Sequence, residues 1–177
     1  MAGDRELVER AKEGDRAAFA ELVEAHYDRI YRFSLRFCGN RPDAEDISQQ
    51  ACVKLARSIS QFRFESTFST WLYTLVLNCA RDFEKSQRRH RSSEGNTIEP
   101  ESGHSPAVHS VYLSEVLRHI EQMGEGYKEA VVLVVGEGLS HAQAATILAT
   151  KESTISWRLH EVRRRLNVLE PEDFDER

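Results

Sequence analysis

No stretch of this 177-residue sequence approaches the roughly 20 apolar residues that a membrane-crossing helix needs. Cysteine is scarce: Cys38, Cys52 and Cys79 are odd in number and far apart, so neither a disulfide framework nor a cysteine-based zinc site is indicated. They sit among apolar residues of helical pattern, where a buried thiol behaves as a small hydrophobe. Runs of strict apolar–polar alternation are missing, which argues against a half-buried sheet. A glycine-rich phosphate loop and a nucleophile elbow are also missing, and His104, His109 and His119 are not spaced as metal ligands. These absences leave no catalytic constellation, so the chain is not expected to be an enzyme, and no metal or cofactor is implied. With its charged beginning, MAGDRELVERAKEGD, the sequence is expected to be soluble, cytoplasmic and not inserted in a membrane.

Positive charge is in deficit overall, with 24 Lys and Arg against 29 Asp and Glu. The deficit is uneven, and a phosphate backbone responds to the local field rather than to the sum. Arg81 to Arg91 carries five Lys or Arg against two acids, and Trp157 to Leu166 carries four against one. Acids dominate up to Asp28 and again in the tail EPEDFDER, offering surfaces for a basic partner.

Ser92 to His109 is rich in Ser, Gly, Pro and Glu and has no apolar period, the composition of a solvated linker. Residues 1–91 and 110–170 on either side show apolar residues at three- and four-residue steps, so an all-α fold of two small helical domains joined by a flexible linker is expected, with residues 171–177 as an acidic tail. In the first half, a short helix around Leu7 and Ala11 precedes one capped by Asp15 and carrying Phe19, Leu22, Val23, His26, Tyr27, Ile30, Phe33, Ser34 and Phe37, ended by Gly39 and Pro42. From Asp43 the inward residues of the next helix are Ile47, Ala51, Leu55 and Ile59. A third long helix begins near Ser66 or Thr67 with Phe68, Trp71, Leu72, Leu75, Val76, Cys79 and Phe83 at helical spacing.

In the second half, helices are expected from about Val111 to Met123 and from Tyr127 to Val135. Gly138 then closes one helix, Ser140 and Gln143 form a capping-box pattern for the next, and Thr150 or Ser153 is available to cap the last. Two helices with about three residues between them, the second basic, make a helix-turn-helix pattern. Inward Ile155, Leu159, Val162 and Leu166 leave Thr154, Trp157, Arg158, Glu161, Arg164 and Arg165 on the outer arc. Such a helix fits a DNA major groove, with Arg158 reaching guanine and Arg163, Arg164 and Arg165 meeting phosphate. The competing reading is a solvated helix end whose arginines complement the helix dipole. For the run DAED, Asp43 to Asp46, the bland reading is an acidic first turn. Phe62, Phe64 and Tyr73 read as loop or off-stripe aromatics on which single-stranded bases could stack, whereas Phe68 and Trp71 read as core.

Four blocks, DRAAFAELVEAHYDRIYRFSLRF, RPDAEDISQQACVKL, FRFESTFSTWLYTLVLNCARDF and EGLSHAQAATILATKESTISWRLHEVRRRL, together resemble an extracytoplasmic-function (ECF) RNA polymerase sigma factor over nearly the whole chain. The resemblance implies a transcription initiation factor that binds bacterial core RNA polymerase and promoter DNA, double-stranded at the minus-35 element and single-stranded at the minus-10 element. Residues 1–91 would correspond to sigma region 2 and residues 110–170 to region 4. It implies polymerase binding through Asp43, Glu45, Asp46, Gln49 and Gln50. The minus-10 surface would comprise Phe64, Glu65, Ser66, Thr67, Tyr73, Asn78 and Arg81. Thr154, Ser156, Trp157, Arg158, Arg163, Arg164 and Arg165 would meet the minus-35 element. Many relatives are restrained by an anti-sigma factor, which makes one a candidate partner. Gln50 stands where the family usually has an acid, and Ala149 where it often has glycine. The alternative is a helix-turn-helix regulator that binds duplex DNA without being a polymerase subunit.

Overall fold

Asp15 joins the first two helices by serving both. Its carboxylate accepts from the amides of Ala17 and Ala18 at 2.9 and 3.1 Å, capping α2 (Arg16–Cys38), and takes Arg10 of α1 (Asp4–Lys12) at 2.7 Å. The Ala18 amide and the Arg10 guanidinium hold this carboxyl below its ordinary range. A computed structural model describes the backbone over residues 3–94 and 108–167, and side chains over 3–90 and 115–166. The chain divides into two compact units, Met1–Leu113 and Ser114–Arg177. Most of the expected linker at 92–109 and all of the expected tail lie outside the described residues; α4 runs on to Glu94 and α5 begins at Val108.

In the first unit α2 ends at Gly39, whose φ of 79° is the left-handed conformation that terminates helices. Asn40 caps α3 (Arg41–Ser58) by accepting from the Asp43 amide at 2.9 Å, and Pro42 sits in the first turn, where its missing amide is no loss. Pro42 therefore opens α3 as much as it closes α2. A 3-10 turn, Ile59–Gln61, leads through residues 62–67 into α4 (Phe68–Glu94). Helix α2 packs on α1, α3 and α4, burying Leu22, Ile30, Phe33 and Phe37 against Ile47, Ala51, Leu55, Leu72 and Val76. Tyr27, expected in the α2 stripe, lies at its edge and is 43% exposed. His26 is buried; its Nε2 stands 3.1 Å from Asp4 Oδ2, out of line for a hydrogen bond, and its ring meets Phe68 edge-on at 5.1 Å.

Helix α5 (Val108–Gln122) begins within the first unit's range and continues into the second, where α6 (Tyr127–Val131) precedes a π-turn, Val132–Gly136. The VVLVV run is thus helical, as expected, but widened: the Glu137 amide reaches back to the Val132 carbonyl at 2.9 Å. Ser140 and Gln143 form both bonds of the capping box on α7 (His141–Ile147). Helix α8 (Glu152–Asn167) starts with neither Thr150 nor Ser153 as its cap; the Lys151 carbonyl accepts from the Thr154 and Ile155 amides.

The turn between α7 and α8 turns on Ala149, at φ 48°. The Thr150 amide closes back on the Ala145 carbonyl at 2.9 Å, a helix C-terminal turn that places a left-handed residue where glycine is ordinarily found. A Cβ in that conformation costs about 1–2 kcal/mol, partly offset by alanine's lower unfolded-state entropy. Ala149→Gly is therefore expected to stabilise the second unit by about 0.5–1 kcal/mol. Urea unfolding followed through Trp157 measures it; a lower midpoint would contradict the strain argument.

Candidate nucleic-acid interface

Helix α8 is anchored by Ile155, Leu159 and Val162, all buried, with Leu166 half-buried. Its opposite face carries most of the residues expected to meet duplex DNA. Trp157 is 56% exposed and lies 5.8 Å from the Tyr127 ring. Ser156 is tied down: its hydroxyl donates to the Glu152 carbonyl at 3.1 Å and pairs with His141 Nδ1 at 2.8 Å, linking α8 to α7. Thr154 is half-buried in the first turn.

Arg158 is the least expected. Its guanidinium lies 5.9 Å from the Tyr127 ring centre and against the backbone of Gly126, where a Cβ would collide with it. Gly126, at φ 83°, is in the left-handed region that favours glycine, while a Cβ there would displace only the movable guanidinium of Arg158. Arg158 thus leaves its own unit already oriented rather than as a freely swinging side chain.

The three consecutive arginines are not equivalent. Glu161 accepts from Arg164 Nε and Nη2, at 3.0 and 2.8 Å, and from Arg165 Nε at 3.0 Å. Hydrogen bonds from Arg164 and then Arg165 lower the Glu161 carboxyl to about 2, so the fork is charged at every physiological pH. Arg163 is exposed on the adjoining face.

In the first unit Glu45, Asp46, Gln49 and Gln50 are exposed along α3. Asp43 is half-buried and bonded through Oδ2 to Asn40 Nδ2 at 2.8 Å, so it serves the helix cap. Beside this row, and outside the sequence expectations, lies a shallow groove of about 440 Å³ lined by Gln49, Gln50, Val53, Lys54, Arg57, Cys79 and Asp82. Val53, 47% exposed, supplies an apolar centre. The signal that could have found it is that Val53 falls outside the inward four-residue steps of Ile47, Ala51 and Leu55. Burial pushes the Cys52 and Cys79 thiols up, which makes them poor nucleophiles.

The loop at 62–67 differs from the sequence expectation. Phe62 is only 3% exposed, packed on Trp71 at 5.1 Å and Phe68 at 5.9 Å. Tyr73 is buried too, edge-on to Phe33 at 5.6 Å, so neither ring is a stacking surface. The reason is that α4 buries more than one stripe, with Leu72, Tyr73, Leu75, Val76 and Leu77 all inward. Phe64 alone of the three is half-exposed, in a left-handed conformation with φ 58° that costs roughly 1–2 kcal/mol. Arg5 and Lys12 of α1 lie over its ring at 5.2 and 5.0 Å, and Lys12 Nζ donates to the Phe62 carbonyl at 2.6 Å. Glu65 and Thr67 are exposed, Ser66 half-buried; the Thr67 hydroxyl accepts from the Thr70 amide at 3.2 Å and caps α4. Asn78, exposed, and Arg81, half-exposed, follow three residues apart on one face of α4.

Among the described residues no helix is long and apolar enough to cross a membrane. Residues 22–90 match the family described as sigma-70 region 2, and residues 113–166 the family described as sigma-70, region 4. The chain is 31% identical to the ECF RNA polymerase sigma-E factor of Escherichia coli, over 95% of each chain. It is 29% identical to the RNA polymerase sigma-H factor of Pseudomonas aeruginosa, over 95% of this chain and 94% of that one. Of solved structures, CnrH in complex with the cytosolic domain of CnrY superposes with a TM-score of 0.72 at 23% identity, covering 94% of this chain and 96% of that one. The sigma factor RpoE in complex with the anti-sigma factor NepR from Bartonella quintana gives 0.67 at 24% identity, covering 88% and 98%. At such identities the two structures bear on the fold.

Proposed function

The chain belongs to the extracytoplasmic-function (ECF) RNA polymerase sigma factors, and on that premise we propose how its surfaces divide the work of starting transcription. As such a factor it binds core RNA polymerase, recognises promoter DNA and promotes opening of the duplex, while the polymerase carries out the chemistry. The observation that carries this is the succession of region 2 and region 4 along a chain that aligns over 95% of its length with a sigma-E factor. Its place of work is the cytoplasm, where polymerase and chromosome are. RpoE of Bartonella quintana is solved with an anti-sigma factor, and an inhibitor of that class is proposed for this chain.

Residues 1–91 form the polymerase- and minus-10-binding domain, 92–109 the linker, 110–170 the minus-35-binding domain and 171–177 an acidic tail. Glu45, Asp46, Gln49 and Gln50 dock on the polymerase around Val53, with Asp43 holding the start of their helix. Phe64, Glu65, Ser66 and Thr67, with Asn78 and Arg81, receive the unpaired minus-10 bases, and Tyr73 supports them from the core. Thr154, Ser156, Trp157 and Arg158 face the minus-35 base edges, while Arg163, Arg164 and Arg165 meet phosphates.

Run-off transcription with core polymerase over a promoter library tests the whole reading. Transcripts that start only with the protein present are expected; duplex binding by the protein alone with no polymerase association would favour a regulator. Asp46→Ala should weaken polymerase association about two- to fivefold, the range of an exposed charge pair, with helix content unchanged by circular dichroism. Equal association would remove Asp46 from the interface. Arg158→Ala should cost about 1–3 kcal/mol of promoter affinity and relax preference at one base pair. A loss equal on all sequences would instead make Arg158 a phosphate contact.

A further inference from the structure

Helix α1, Asp4–Lys12, precedes the region 2 match at 22–90, and none of the surfaces assigned above includes it. Its buried residues Leu7, Val8 and Ala11 hold it to the first unit, and it packs on α2 and on the 3-10 turn that leads into the minus-10 loop. Arg5 and Lys12 are seven residues apart, two helical turns, and so project from one face. Both reach the same target. Their cationic groups lie over the Phe64 ring, and Lys12 also grips the carbonyl of Phe62, fifty residues away in sequence.

Beneath the loop, the buried Phe62 ring contacts Phe64 at 4.8 Å. Phe64 is therefore bracketed by an aromatic floor on one side and α1 cations around its ring. That bracket matters because Phe64 sits at φ 58°, a conformation that a phenylalanine leaves readily unless its surroundings hold it. A loop that must be ordered on meeting DNA binds more weakly than one ordered beforehand.

We propose that Lys12, assisted by Arg5, is a positioning residue for promoter opening: α1 locks the 62–67 loop in its base-receiving form before DNA arrives. This rests on the assignment of Phe64 to the minus-10 surface. Lys12 acts through the loop and does not itself touch a base or a phosphate.

The test uses the full chain with core polymerase on a promoter it opens, comparing Lys12→Met, Lys12→Arg, Arg5→Gln and Phe64→Ala. Opening is read by permanganate reactivity of unpaired thymines, alongside polymerase association and thermal midpoint. Lys12→Met is expected to reduce opening about three- to tenfold, with polymerase association unchanged, the midpoint lowered by only the few degrees that one lost hydrogen bond accounts for, and the salt dependence of promoter binding parallel to wild type. Lys12→Arg, which keeps the charge and a donor, should restore most of it, and Arg5→Gln should show a smaller loss. Normal opening by Lys12→Met while Phe64→Ala is impaired overturns the positioning role and leaves the loop assignment standing. Normal opening by Phe64→Ala overturns both. A salt slope flattened by about one would mark Lys12 as a phosphate contact and equally overturn the proposal.

Discussion

Replacing Phe33 by alanine is expected to destabilise the first unit by about 3–5 kcal/mol, the range for deleting a large aromatic from a closed core. Phe33 has no exposed surface, stacks on Phe37 at 6.0 Å and receives Tyr73 edge-on at 5.6 Å. It sits on α2, the helix against which α1, α3 and α4 all pack, so no single neighbour can move in to fill the space. The two tryptophans make the measurement clean, since Trp71 lies in the first unit and Trp157 in the second. Urea unfolding followed by Trp71 fluorescence in a Trp157→Phe background should show the full loss, and Trp157 followed in a Trp71→Phe background should show little. A loss under about 1 kcal/mol at Trp71 would mean that Phe33 is not central to the core.

What the sequence made legible was whatever depends on residues close together in it. The four-residue steps of Ile47, Ala51, Leu55 and Ile59 mark an inward face, and all four are buried. Asp15, Thr67 and Ser140 cap helices where their chemistry says they should, and the helix-turn-helix follows from two such boundaries. Tyr73 was misread because a helix buried on several sides loses the single stripe by which inward residues are recognised. The left-handed Phe64 carries no local signal, being neither glycine nor asparagine, and Ala149 is marked only by the glycine that the family often has there. The two contacts that organise the candidate surfaces were out of reach altogether. Lys12 meets Phe62, and Arg158 meets Gly126, across separations that no periodicity spans.

Changing Arg163, Arg164 and Arg165 together to alanine is expected to weaken promoter binding by the polymerase–sigma complex roughly 50- to 200-fold at about 0.15 M salt. Each arginine neutralising one phosphate contributes about 0.9 to the slope of log affinity against log salt, so three independent contacts would amount to about 2.7. The Glu161 fork lowers that figure, because Arg164 and Arg165 are already bonded to a carboxylate and exchange one anion for another on meeting DNA. A fall in slope of about 2 to 2.7 is the expected result, measured by anisotropy titration of a labelled promoter over a series of salt concentrations. Removing the arginines also leaves Glu161 without the partners that hold its carboxyl near 2, and as an unpaired anion it adds repulsion to the lost attraction. The loss should be the same on matched and mismatched minus-35 elements, in contrast to the single-position effect of Arg158→Ala. If the triple variant kept its salt slope, the basic end of α8 would be a solvated helix terminus, and the net charge of -5 would stand with no phosphate partner there to set against it. If instead the slope fell but only on the preferred sequence, the arginines would be reading bases, and Arg158, held against Gly126 and Tyr127, would revert to a packing group.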